Sequence, residues 1–194
     1  MAAHALIFDL DGTLWDSYPF YAAVIESKGG QDSPNTIEML RNGGNVARML
    51  RDVGVREVNF PMALRRHRGA LSLYPTVEDK LASLSSGRIH VGVVTSLPAW
   101  IWRPMISAVC IPEVATSIEG WSKGFSKATA IRRVSAALGI PGCGGVWYVG
   151  DMASDGVAAK SAGVSFAWAS WGYAEQPPKQ SGRALSSFAD VLSL

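Results

Sequence analysis

The chain is poor in the residues that usually announce a metal site or a cross-linked scaffold. Its 194 residues include two cysteines, Cys110 and Cys143, which form neither a metal-type pair nor a disulfide framework and read as small buried side chains. The three histidines, His4, His67 and His90, are scattered and sit at no metal-ligand spacing. Charge of one sign is also lacking: 18 Lys and Arg stand against 16 Asp and Glu, a formal net charge of +2. So small a surplus excludes the electrostatic footprint of a general nucleic-acid or membrane-surface binder. No apolar run approaches the roughly 20 residues of a membrane span. The first acids, Asp9 and Asp11, arrive too early for a signal peptide, so a reduced, cytoplasmic location is expected. What is present is a folded composition, 48% hydrophobic and 18% charged, with length for one domain plus a modest insertion.

Short apolar runs alternate with helix-like stretches. Residues 5–9 (ALIFD), 90–95 (HVGVVT), 114–118 (VATSI), 146–150 (VWYVG) and 164–169 (VSFAWA) read as strands buried on both faces. Residues 77–84, 99–109, 127–138 and 156–162 read as helices between them; the third is capped near Ser126 and stopped by Gly139. This alternation predicts a doubly wound, Rossmann-like α/β core with a parallel sheet. One stretch breaks it. Residues 17–74 show no convincing strand and four helix-like segments, at 18–27, 36–40, 45–53 and 61–71. They predict a small helical cap inserted after the first strand, with 1–16 and 75–194 forming the core.

Two acidic motifs carry the chemistry. In Phe8-Asp9-Leu10-Asp11-Gly12-Thr13-Leu14 two carboxylates lie two residues apart where a buried strand turns. They are costly to bury without a positive partner, and they sit at the carboxyl edge where open α/β sheets bind ligands. In Val149-Gly150-Asp151-Met152-Ala153-Ser154-Asp155 one acid marks a strand tip and another the following helix start, where the dipole favours it. Either motif alone is compatible with a capped turn. Together, on two strand ends, they point to a shared hard cation such as magnesium.

With these motifs, the sequence resembles the haloacid dehalogenase-like hydrolase superfamily over nearly its whole length. Asp9-Leu10-Asp11-Gly12-Thr13 matches the opening motif, Val93-Val94-Thr95 the second, and Gly150-Asp151 with Asp155 the fourth. The continuation through 158–164 and Ser170-Trp171-Gly172-Tyr173 is similar to phosphoglycolate phosphatase-like members with a small helical cap. The resemblance implies a Mg2+-dependent phosphatase acting on a small phosphorylated metabolite. Asp9 would be the nucleophile and Asp11 the general acid and base. Thr95, with Ser96, would hold the phosphoryl group. Asp9, Asp151 and the backbone carbonyl of Asp11 would hold the cation, with Asp155 ligating or orienting it. Retention of Asp11 favours phosphate chemistry over dehalogenation. A sugar-phosphate mutase and a non-catalytic binding protein are the alternatives on this fold.

The family's lysine falls at Lys123 or Lys127, because Ser122-Lys123-Gly124-Phe125-Ser126-Lys127 lacks the prolines many relatives carry there. Lys127 stands at the expected helix start, which favours it. Trp15, just past the catalytic loop, is expected to wall the substrate pocket. Of Trp100 and Trp102, at most one can face the pocket, since residues two apart on a helix do not share a face. Residues 41–68 hold seven arginines against Asp52 and Glu57. Most of these read as the wet face of helices, and a basic cap could also steer an anion.

Overall fold

A computed structural model of the chain describes residues 4–86, 89–109, 117–141, 144–179 and 182–194. Cys110, Cys143 and residues 114–116 of the expected third strand lie outside the described residues. The core strands are β1 (Ala5–Phe8), β4 (His90–Pro98), β5 (Ser117–Trp121), β6 (Val146–Gly150), β7 (Ser165–Ala169) and β8 (Arg183–Leu185). They form one parallel sheet in the order β5-β4-β1-β6-β7-β8. Two other strands, β2 (Trp15–Asp16) and β3 (Ser72–Leu73), pair with each other antiparallel.

Period-two alternation divides the sheet between two helical layers. Leu6, Phe8, Val91 and Val93 face helices α5 (Val77–Ser86) and α6 (Ala99–Val109). Ala5, Ile7 and Val94 face α7 (Lys127–Ala137) and α8 (Ala153–Ala162). The inner strands β1, β4, β6 and β7 are largely buried between the layers, which is why these runs read as continuously apolar. At Gly92 the α7 layer comes so close that a Cβ would lie 2.3 Å from Val134 Cγ1.

Strand order places the site. From β1 the chain winds outward to β4 and β5, then crosses back through α7 to β6 on the other side of β1. The carboxyl ends of β1 and β6 therefore flank the point where the winding reverses, the crevice in which such sheets bind ligands. In register, Phe8 lies opposite both Val93 and Val149, so Asp9 and Asp151 emerge together just past the ends of β1 and β6, beside Thr95 of β4.

Between β2 and β3 run α1 (Tyr18–Ser27), α2 (Ser33–Arg41), α3 (Val46–Asp52), α4 (Phe60–His67) and a 3-10 turn, Arg68–Ala70. The two-residue β2–β3 ladder is the neck through which this insert leaves and rejoins the core. It falls at the edges of a stretch expected to hold no strand, and a pair so short shows no alternation to read. Of the seven arginines, Arg68 alone is not exposed; it donates to Leu71 O and Ala108 O and so pins the neck to the end of α6. Leu40, Leu50, Phe60 and Leu64 of the insert belong to the same apolar cluster as Leu6 and Phe8 of the sheet. Among the described residues no helix is long and apolar enough to cross a membrane.

A Gly92→Ala variant should lose about 1–3 kcal/mol, because α7 must retreat or Val134 must leave its rotamer. Urea unfolding would show this as a lower midpoint with an unchanged slope. An unchanged midpoint would mean that α7 is not in tight contact with the sheet.

Candidate active site

Asp9 continues β1 and donates its N–H to Val149 O at 2.9 Å, which locks the end of β1 to β6. The chain then turns sharply: Leu10 O accepts from Thr13, Leu14 and Trp15, and Gly12 takes a positive φ of 76°. A side chain at residue 12 would be strained, and its Cβ would lie 2.3 Å from Asp151 Oδ2. Glycine here is what lets the loop after β1 lie against the acid at the tip of β6.

Lys127 is the lysine at the site, whereas Lys123 is exposed. It is the first residue of α7, after Ser126, whose hydroxyl accepts from Thr129 N–H as the N-cap. Its side chain is 14% exposed, and Nζ donates to Asp9 Oδ2 at 2.9 Å and to Asp155 Oδ1 at 2.7 Å. Asp155 lies in the first turn of α8, and its Oδ2 accepts from Met152 N–H at 2.9 Å. Asp151 is fully buried; Oδ2 accepts from Tyr173 N–H at 2.8 Å, and Oδ1 has no hydrogen-bond partner among the described residues.

Ligand atoms of Asp9, Asp151 and Asp155 all lie within 4.8 Å of one another. Three buried carboxylates against one ammonium leave an excess of two negative charges. That excess, the orphaned Asp151 Oδ1 and the hard oxygen donors fit a divalent cation of the magnesium kind. Without one, Asp9 and Asp151 resist ionisation. Burial pushes Asp9 up from 3.8 to about 7; Lys127 pulls it down and Asp155 adds to the rise. Burial, then Asp155 and Asp9, push Asp151 well above the usual carboxylate range. Burial pulls Lys127 down, but Asp155 and Asp9 outweigh it and hold the ammonium well above its usual range.

The Asp11 side chain lies outside this trio. Its Oδ1 accepts from Trp15 Nε1 at 2.6 Å, Ser17 Oγ at 2.6 Å and Tyr21 OH at 3.3 Å, while Oδ2 receives only a 3.4 Å contact from Tyr21. A proton on this carboxyl therefore belongs on Oδ2. Burial raises the Asp11 pKa, and the bonds from Ser17, Trp15 and Tyr21 hold the rise back.

Trp15 does not wall a pocket. It is fully buried in the neck ladder, and its indole is spent on Asp11. The cavity beside the acids, about 320 Å³, is lined by Asp9, Asp11, Thr95, Ser96 and Lys127, with Trp121 as its tryptophan. Thr95 is buried and its Oγ1 accepts from Leu97 N–H at 3.1 Å, so the hydroxyl hydrogen is free to donate. Trp121 was hidden because the strand that carries it runs Ser117–Trp121, later in sequence than the apolar pattern at 114–118 implied. Neither Trp100 nor Trp102 lines the cavity. Trp100 packs edge-on against Phe60 of the insert and carries the Arg51 guanidinium 5.5 Å above its ring. Arg51 itself lines the cavity from the insert, with residues 43–47.

In metal-free protein, the raised Asp9 pKa means stability that is full below pH 3.8 and lost as pH rises towards 7. An Asp9→Asn variant, which has no such proton to lose, should gain on the wild type between pH 5 and 8 in chelator. Denaturant titrations at the two pH values would measure it. A constant difference between the two proteins would show that Asp9 ionises normally.

The family model of the haloacid dehalogenase-like hydrolases matches residues 6–169. The phosphoglycolate phosphatase of Pectobacterium atrosepticum is 27% identical, covering 100% of this chain and 92% of its own. That of Pseudomonas fluorescens strain Pf0-1 is 31% identical over 87% of this chain and 70% of its own. Among solved structures, a haloacid dehalogenase-superfamily hydrolase of Geobacter sulfurreducens superposes with a TM-score of 0.72 at 19% identity, covering 98% of this chain and 95% of that one. A mutant of CbbY from Rhodobacter sphaeroides, in complex with xylulose-1,5-bisphosphate, does so with a TM-score of 0.73 at 17% identity, covering 97% and 96%. The motifs at the ends of β1, β4 and β6 all fall inside the matched span, and the chain belongs to the haloacid dehalogenase-like hydrolase family, as a phosphatase similar to its phosphoglycolate phosphatases.

Proposed function

We propose that the chain is a magnesium-dependent phosphatase that hydrolyses a small phosphate monoester through an aspartyl-phosphate on Asp9. The observation that carries this reading is the pairing of two differently treated carboxylates on one cavity. Asp9 is held by Lys127, and Asp11 is buried on a hydrogen-bonded Oδ1 with Oδ2 left to carry a proton. Environments that separate two acids in this way assign one to attack and the other to proton transfer.

In the first step Asp9 Oδ1, which has no donor among the described residues, forms the bond to phosphorus as the ester P–O bond breaks. The proton on Asp11 Oδ2 goes to the departing alkoxide. In the second, the Asp11 carboxylate takes a proton from water, whose oxygen bonds to phosphorus and displaces Asp9 with release of inorganic phosphate. Thr95, Ser96 and Lys127 bind and orient the phosphoryl oxygens. A magnesium ion held by Asp9, Asp151 and the backbone carbonyl of Asp11, with Asp155 ligating or orienting it, would neutralise the charge that otherwise keeps a carboxylate from a phosphate dianion.

The helical insert, residues 17–74, acts in this reading as a cap that selects the rest of the substrate. Its cavity of about 320 Å³ is at the small end of ligand pockets, which run roughly 300–1,000 Å³. Arg51 has no ion pair among the described residues and is oriented by Trp100, which suits a second anionic group. A carboxylate such as that of 2-phosphoglycolate fits this arrangement and agrees with the names of the relatives.

Inorganic phosphate release from a panel of small esters, with and without magnesium, tests the reading directly. Release should depend on magnesium and fall by roughly a thousandfold or more in Asp9→Asn. Full turnover in that variant would remove Asp9 as nucleophile, and isomerisation of a sugar phosphate outpacing release would favour a mutase. Arg51→Ala should raise KM for 2-phosphoglycolate roughly fivefold, the effect of about 1 kcal/mol for an exposed charge pair, and leave glycerol phosphate unaffected. Equal effects on both esters would show that Arg51 reads no second anion.

A further inference from the structure

The loop after β7 does more than follow a strand. Trp171 Nε1 donates to Thr13 O at 3.1 Å. At Gly172 a Cβ would lie 2.2 Å from Asp151 Cβ and 2.4 Å from Gly12 O, so only glycine passes there. Tyr173 then reaches in two directions at once. Its backbone N–H binds Asp151 Oδ2, and its phenol oxygen accepts from Ser17 N–H at 2.8 Å and Tyr18 N–H at 3.1 Å. The phenol hydrogen is given to Asp16 Oδ1 at 3.1 Å. A tyrosine hydroxyl has one donor and two acceptor sites, and here the neck of the insert engages them all, with Ser17 Oγ as a further, longer contact at 3.3 Å.

That engagement fills a vacancy. Helix α1 begins at Ser17 with no side-chain cap, because the Ser17 hydroxyl is turned to Asp11 Oδ1. The first amides of the helix need an acceptor, and Pro19, which has no N–H, adds no further one to satisfy. Tyr173, distant by 156 positions, supplies the missing cap, and its ring stacks on Tyr18 at 3.5 Å between centroids. One residue therefore caps the first helix of the insert and decides which oxygen of Asp151 is left free.

We infer that Tyr173 is a positioning residue that couples the placement of the insert's root to the orientation of the Asp151 carboxylate, so that cation binding and insert anchoring strengthen each other. This rests on the cation site proposed above. By linkage the coupling runs both ways: a cation that fixes Asp151 must also tighten the start of α1.

The test uses Tyr173→Phe, which keeps the ring stack and the backbone N–H but removes the phenol oxygen. Magnesium affinity is read by calorimetry without substrate, and hydrogen exchange is read on a peptide spanning 12–22. In the wild type, magnesium should slow exchange of the Ser17 and Tyr18 amides. In the variant those amides should exchange faster and ignore magnesium, with Kd for magnesium raised roughly tenfold. Arg68→Ala, which loosens the other strand of the neck without touching the site, should leave that Kd unchanged. Wild-type affinity in Tyr173→Phe, or an equal loss in Arg68→Ala, would overturn the coupling and leave the phosphatase reading standing. A wild type that binds no magnesium would overturn both. If Tyr173→Phe does not fold, Asp16→Ala removes the phenol's acceptor instead and should shift Kd in the same direction by less; no shift there would equally overturn the inference.

Discussion

Everything at the carboxyl edge of this sheet answers to one electrostatic constraint: three carboxylates held out of water need positive charge within reach. Lys127 supplies one unit, bridging Asp9 and Asp155 with two short bonds. Removing one partner from a buried pair costs about 3–5 kcal/mol, so the ammonium is a structural necessity as much as a chemical one. Its location explains the winding. The helix that crosses back over the sheet, α7, begins beside the tips of β1 and β6 with Lys127 as its first residue.

Neutral groups complete the arrangement by choosing which oxygens are spent and which stay available. Trp15, Ser17 and Tyr21 occupy one face of Asp11; Met152 N–H and Tyr173 N–H occupy one oxygen each of Asp155 and Asp151. Asp9 and Asp151 keep one oxygen each without a donor among the described residues. The site is thus built by subtraction, with backbone and indole donors removing the wrong atoms from competition.

Much of this was legible from one dimension. A buried strand that ends in an acid, met twice, marks a sheet edge whose burial must be compensated, and the start of a helix identifies the lysine that can reach it. Trp15 was misread because sequence shows that a residue follows the acidic loop after β1, not that the returning chain at Leu73 covers it. Trp121 escaped because its strand continues to residue 121, past the apolar pattern at 114–118. Tyr173 could be quoted as part of a family motif but not understood. Its partners are remote in sequence, and a phenol that caps a distant helix leaves no periodic trace.

The apolar cluster that runs without a break from Leu6 and Phe8 through Ile101 and Met105 to Phe60 and Leu64 has a consequence for how such an enzyme can diversify. The insert is not a detachable module: a foreign helical bundle set between β2 and β3 would have to reproduce the face that α6 and the sheet already expect. Gly43, Gly44 and Asn45 reach the cavity without belonging to that cluster. In the phosphatase reading, substitutions at these three residues would alter what the pocket accepts while leaving the shared core intact.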